Sequence, residues 1–257
     1  MKRNKNALHF ISIFIKRCFN NITAGKNSTP VQVNLDTFKL VDQVRKREIP
    51  IAVYSLKANK NDSNRKVIIF SHGYRQNRGG AYLAYSYLTS YLAAKGYVVI
   101  SIQHDLPTDG LLPRTGNAQV VRRPFWDRGV DTIRFVINEM KKTNPDLDFR
   151  HITLIGHSNG GDMTGLFAQK YPDIAERIIT LDNRRMPLPR TNQPRVYSLR
   201  SCDQPADKGV LPTVEEQKEF NIRIIKLPNT IHNKMSNKAS HQQRQEIRDY
   251  ILSFLEE

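Results

Sequence analysis

Two cysteines in 257 residues are too few for a disulfide framework, and neither Cys18 nor Cys202 sits in a metal-ligand spacing. No uninterrupted apolar stretch approaches the roughly 18 residues of a membrane span. Acidic residues are also scarce: 24 Asp and Glu face 40 Lys and Arg, a net charge of +16. That excess lacks the features that accompany nucleic-acid binding. There is no zinc-finger spacing, no basic zipper and no aromatic-basic RNA signature, so no nucleic-acid partner is expected. The charge is unevenly spread. Residues 1–66 carry 14 basic and 4 acidic residues, a net of +10, whereas residues 67–257 carry 26 and 20, a net of +6.

What is present suits a folded domain. Apolar residues make up 39% of the chain, enough for a core, and the length fits one α/β domain. Residues 1–17 hold five basic and no acidic residues around the apolar run at 7–15. This resembles the charged start and short apolar centre of a signal peptide, but Lys16 and Arg17 follow at once and no A-x-A site appears. A targeting segment, a membrane-surface helix and a plain basic tail are the three readings of residues 1–17. They leave localisation open between the cytoplasm and export or membrane association. Residues 18–35, rich in Asn, Thr, Lys and Gly, read as a linker that completes an N-terminal tail over 1–35. The domain itself is expected over 36–257.

Short apolar runs at 37–42 and 49–54 predict a pair of edge strands, with a polar turn at 58–65. From residue 66 strands and helices alternate. Strands are expected at 66–70, 97–102, 152–155, 177–181, 195–199 and 222–227. Helices are expected at 81–95, 128–142, 162–171 and 246–255, where apolar residues recur at helical spacing. This alternation predicts a mainly parallel sheet with helices on both faces. In such sheets ligands sit beyond the carboxyl ends of the strands, so the strand-following loops carry the chemistry.

One of those loops reads Gly156-His157-Ser158-Asn159-Gly160-Gly161. It is a G-x-S-x-G between a predicted strand and a predicted helix, the setting of a nucleophile elbow, and chance supplies only roughly 0.04 such motifs in a chain of this composition. Ser158 is the candidate nucleophile. A serine hydroxyl needs a base and an orienting carboxylate, in the order Ser, acid, His for this arrangement. Only His232 and His241 follow Ser158, and His232 lies just past the last strand. The acid is expected at Asp203, after the strand at 195–199, with Asp207 as the alternative and Asp182 as a third option. The backbone N–H groups of Tyr74 and Asn159 are the candidate oxyanion donors, with Gly73 allowing the turn and His72 bracing it.

These residues carry a resemblance. His72-Gly73 after a strand, the elbow, Asp203, His232 and the basic-then-Ile-Pro entry at 42–54 resemble the α/β-hydrolases, and among them the dienelactone hydrolase and platelet-activating factor acetylhydrolase-like serine esterases. The resemblance covers about residues 37–255, and its most specific part is the elbow. It implies the α/β-hydrolase fold and serine-dependent cleavage of ester-like bonds with no cofactor and no metal. The oxyanion loop departs from the family in reading His-Gly-Tyr-Arg-Gln-Asn-Arg-Gly-Gly instead of a run of glycines. Only residues 183–193 and a proline separate two strands between which many relatives insert a lid, so no large cap domain is expected.

The strand-following loops are also rich in arginine. Arg75, Arg122, Arg123, Arg184 and Arg185 form a candidate substrate-binding set, with Arg78, Arg114 and Arg190 nearby. Guanidinium groups grip carboxylates and phosphates bidentately, which suggests a small ester or lactone bearing an anionic group. The opposing reading is that they pair with neighbouring aspartates. A peptidase on the same fold and a non-catalytic binding protein are the rival functions. A fluorophosphonate probe that labels Ser158 separates the latter from an enzyme.

Overall fold

The computed structural model describes residues 18–22, 31–57 and 64–257. The apolar run at 7–15 therefore lies outside the described residues. Among these described residues nine strands build one sheet: β1 (Cys18–Ile22), β2 (Val31–Asp42), β3 (Arg47–Leu56), β4 (Lys66–Ser71), β5 (Val98–Ile102), β6 (Asp148–His157), β7 (Ala175–Leu181), β8 (Arg195–Arg200) and β9 (Arg223–Lys226). The helices are α1 (Ser86–Ala94), α2 (Ala118–Val121), α3 (Arg123–Thr143), α4 (Asn159–Lys170), α5 (Val214–Glu219) and α6 (His241–Glu256). The strand order is β1-β2-β3-β5-β4-β6-β7-β8-β9. Pairs from β1 to β5 along one edge are antiparallel, and every pair from β5 to β9 is parallel.

The apolar runs of the central strands follow from burial on both faces. Val67 and Ile69 of β4 join a core with Trp126, Ile133 and Val136 of α3 and Phe167 of α4. Ile68 and Phe70 point the other way, to Leu88 and Leu92 of α1 and Ile251 and Phe254 of α6. The helices that follow β6 and β4 thus cover opposite faces. Among the described residues no large cap interrupts the layers, and no helix is long and apolar enough to cross a membrane.

The front of the sheet differs from expectation. Residues 18–22 form β1, and β2 starts at Val31, so much of the expected linker is strand and the sheet reaches back past residue 36. Asn and Thr composition hides the period-two alternation of Val31, Val33 and Leu35. Three helices also start early: α3 at Arg123, with a proline in its first turn, α4 directly after Ser158, and α6 at His241 behind a Ser240 cap.

Register brings the site together. Ser71 pairs with Gly156, His157 with Leu181, and Leu181 with Leu199, so the carboxyl ends of β4, β6, β7 and β8 finish level at one rim.

Candidate active site

Ser158 occupies the sharp turn between β6 and α4 at φ 53° and ψ −120°, a conformation that L-residues avoid and that concentrates at functional sites. Packing forces that turn. A Cβ on Gly160 would strike the carbonyl oxygens of Ser71 and His72, and one on Gly156 would strike Gly160 O and Thr164 Oγ1. The turn is pinned by Ser158 N–H donating to Leu181 O at 2.9 Å and by Asp162 N–H donating to Ser158 O at 2.9 Å.

His232 opens a short 3-10 turn beyond β9. Its Nε2 lies 2.9 Å from Ser158 Oγ and its Nδ1 lies 2.5 Å from Asp182 Oδ2. Asp182 is fully buried and follows β7 at φ 56°, so two of these three residues sit at positive φ directly after a strand. Ser201 Oγ–H donates to Asp182 Oδ2 at 2.7 Å and Ser201 N–H to Oδ1 at 3.0 Å, while Arg200 Nη2 stands 3.0 Å from Oδ1. Burial pushes the Asp182 carboxyl up. The bond from His232, the charge of Arg200 and the Ser201 bonds outweigh that and hold it below the usual carboxylate range.

Asp182 therefore stands where Asp203 was expected. Asp203 is exposed, and its Oδ1 accepts the backbone N–H of His232 at 2.7 Å. Asp207 is drawn off to Arg185, 2.6 Å from its guanidinium. The reason is geometric. β7 is one strand nearer the elbow than β8, and the turn after β8 is spent on Ser201, which reaches back to Asp182.

The loop after β4 lies against the elbow. His72 Nδ1–H donates to Gly73 O at 2.8 Å, and its Nε2 accepts His104 N–H at 3.0 Å, so His72 is a neutral brace. Burial lowers it to about 4. Gly73 N–H donates to Tyr85 Oη at 3.2 Å, Tyr85 O–H to His157 Nδ1 at 2.7 Å, and His157 Nε2–H to His232 O at 3.2 Å. This buried chain ties the loop to the backbone of His232. Burial, helped by the neighbouring His232, lowers His157 to about 3, so both histidines of the chain's surroundings stay uncharged. Tyr74 Oη accepts Leu112 N–H at 3.0 Å, and Asn159 Oδ1 accepts Trp126 Nε1–H at 2.9 Å, which anchors both residues named as oxyanion donors. As the first residue of α4, Asn159 has no carbonyl of its own helix for its N–H.

Ser158 and His232 open onto a cavity of about 410 Å³ lined also by Tyr74, Arg75, Tyr85, Asn233, Ser236 and Lys238. Among the described residues no carboxylate lines it. A larger hollow of about 670 Å³ runs along α6 and contains none of these groups. Of the five arginines named from the sequence, Arg75 alone lines the cavity. Arg185 is held by Asp207, Arg123 by Asp127 at 3.0 Å, and Arg122 by Pro113 O at 3.0 Å. Arg184 donates to Gln204 Oε1 at 2.5 Å and to Pro205 O at 3.2 Å. Lys238, which the sequence reading did not single out, is the second cation of the lining; it lies six residues past His232, a separation that gave no local signal. Among the described residues no three His, Cys, Asp or Glu side chains converge as a metal-ligand set.

No family sequence model and no curated protein matches the chain. Solved structures do. A putative dipeptidyl aminopeptidase IV from Bacteroides ovatus superposes with a TM-score of 0.59 at 18% identity, over 86% of this chain and 35% of its own, so the chain spans about a third of that protein. An alpha/beta hydrolase enzyme from a Medee basin deep-sea metagenome library gives 0.60 at 15% identity, covering 86% of this chain and 96% of its own. A dienelactone hydrolase-like promiscuous phosphotriesterase from metagenomic libraries gives 0.54 at 13% identity, over 78% of this chain and 84% of its own. The nine-stranded sheet, its layers and these superpositions agree that the chain has the α/β-hydrolase fold.

Proposed function

We propose that the chain is a serine hydrolase that cleaves carboxylic esters through an acyl-enzyme on Ser158 and favours substrates carrying an anionic group. The observation that carries this reading is the line from Ser158 Oγ through His232, at 2.9 Å and 2.5 Å, to a buried Asp182. With Nδ1–H committed to Asp182, Nε2 is left as the acceptor for the serine proton. Ser158 attacks the ester carbonyl as His232 takes that proton. The N–H groups of Asn159 and Tyr74 hold the developing oxyanion, and Asp182 stabilises the imidazolium. His232 then protonates the leaving alcohol, and water activated by the same base deacylates the serine.

The anionic preference rests on Arg75 and Lys238, two cations on a lining without a carboxylate. Neither side chain pairs with a carboxylate among the described residues. The test is a fluorophosphonate label followed by turnover of matched aryl esters with and without a carboxylate on the acyl group. Ser158→Ala is expected to lose the label and to lower kcat by about 10⁴-fold or more while keeping the thermal transition. Arg75→Gln is expected to cut kcat/KM for the charged ester about tenfold and to leave the neutral one alone. Equal handling of both esters by the unaltered protein at low salt would remove the anionic preference, and faster cleavage of a matched peptide amide would favour a peptidase.

A further inference from the structure

Arg200 ends β8 almost wholly buried, with its guanidinium behind the carboxylate that His232 uses. Nη2 faces Asp182 Oδ1 at 3.0 Å, and Nη1 donates to Asn183 O at 2.6 Å and to Asn183 Oδ1 at 3.2 Å. The same side chain thus meets the charge of Asp182 and the peptide that follows it in its positive-φ turn. A lone carboxylate at zero exposure would meet a large desolvation penalty, and a planar fork can neutralise it while gripping backbone.

We propose that Arg200 is a positioning residue for the hydrolytic site, holding Asp182 in its strained turn and offsetting the negative charge that Asp182 presents to His232. The proposal rests on the serine-hydrolase reading and adds an electrostatic control to it. A carboxylate acting alone would give its full charge to the imidazolium formed during attack. One paired with Arg200 gives less of it to the imidazolium. The other charged and titratable groups around the pair are few. Arg200 also feels Asp162 of α4 and Arg184 beyond β7. His232 faces the neutral ring of His157 at 4.7 Å, the backbone-bound Asp203, and Arg75 and Lys238 across the cavity. None of these contacts Asp182 as Arg200 does.

Two variants separate charge from grip. Arg200→Gln removes the charge but keeps a donor for Asn183 O; Arg200→Lys keeps the charge but loses the fork. The readout is the rate of fluorophosphonate labelling between about pH 4 and pH 9, which reports activation of the serine without a known substrate. Removing the cation strengthens the field that favours imidazolium, so the acid limb of the Gln profile is expected to move up by about one pH unit. The Lys profile is expected to keep its midpoint within about 0.3 unit while its plateau falls several-fold. Midpoints that move together, or a Gln midpoint that stays put, would overturn the proposal. If the Gln variant lacks a cooperative unfolding transition, Arg200→Met takes its place, and a Lys midpoint displaced by a full unit overturns the proposal without either. An unaltered protein that takes no label at all refutes the serine-hydrolase reading instead.

Discussion

Asp182 and Asp203 both touch His232, but at different atoms and with different consequences. Asp182 meets Nδ1 of the ring, and Asp203 meets the backbone N–H. Only the first fixes the imidazole tautomer. Asp182→Asn would place an amide in a site already donated to by Ser201, with its N–H₂ turned toward His232 Nδ1 and the ring proton driven to Nε2. A fall in kcat on the order of 10⁴-fold is expected. Asp203→Asn keeps an oxygen to accept the backbone N–H and is expected to lower kcat less than about tenfold. Steady-state kinetics on one aryl ester decides it, and the reverse ranking would restore Asp203 as the acid. Ser158 and His232 were legible because an elbow is a local pattern and few histidines follow it. The carboxylate that meets the imidazole Nδ1 was not, because Asp182 and Asp203 both lie past strand ends and the choice between them lies in sheet order and in a positive φ that no residue name reveals.

Among the elements, the contact that matters most is α4 against the loop beyond β4. There the backbone of Gly160 lies on Ser71 O and His72 O. Gly160→Ala would pry the elbow away from the loop that carries Tyr74. A loss of about 1–3 kcal/mol is expected, together with a fall in labelling rate beyond what the lost stability explains. Gly79, on the same loop, is the control: a Cβ there meets nothing within 4 Å, and Gly79→Ala is expected to match the unaltered protein in both thermal melt and labelling. A Gly160→Ala protein with unchanged melt and labelling would show that the two elements tolerate separation. The central strands and helices that make this contact were visible in the sequence, because buried parallel strands are continuous apolar runs. Of the antiparallel edge only the pair at 37–42 and 49–54, inside β2 and β3, was visible. β1 and the start of β2 were hidden: their Asn and Gln residues mask the alternation, and each strand takes shape only by pairing with the next one along the chain.

For the molecule as a whole, buried titratable groups set how it answers acid. Burial lowers His72 to about 4, His157 to about 3, and His104 well below the ordinary histidine value. In the unfolded chain each takes a proton near pH 6.5. Their contribution is therefore complete above that pH and is lost as the pH falls toward the folded values. Asp42, Asp148 and Asp182 act in the same sense lower down. Burial pushes each up, hydrogen bonds and ion pairs bring each below its ordinary range, and the stability they add above the unfolded value fades on acidification. Asp105 and Asp162 oppose this. Burial raises both to about 6, so between about pH 6 and 4 the folded protein holds protons that the unfolded chain has released, and acid favours folding through them. Three histidines against two carboxyls leave the unfolded state about one proton ahead in that window. That corresponds to about 1.4 kcal/mol lost per pH unit, so Tm is expected to fall steadily below about pH 6. Asp162→Asn removes one opposing group while keeping an oxygen for the N–H groups of Arg184, Arg185 and Met186, and so is expected to steepen the fall. Calorimetry of both proteins across that range is the check. A Tm that rises on acidification, or an Asp162→Asn curve parallel to the unaltered one, would mean that the histidines are not the groups that govern acid stability.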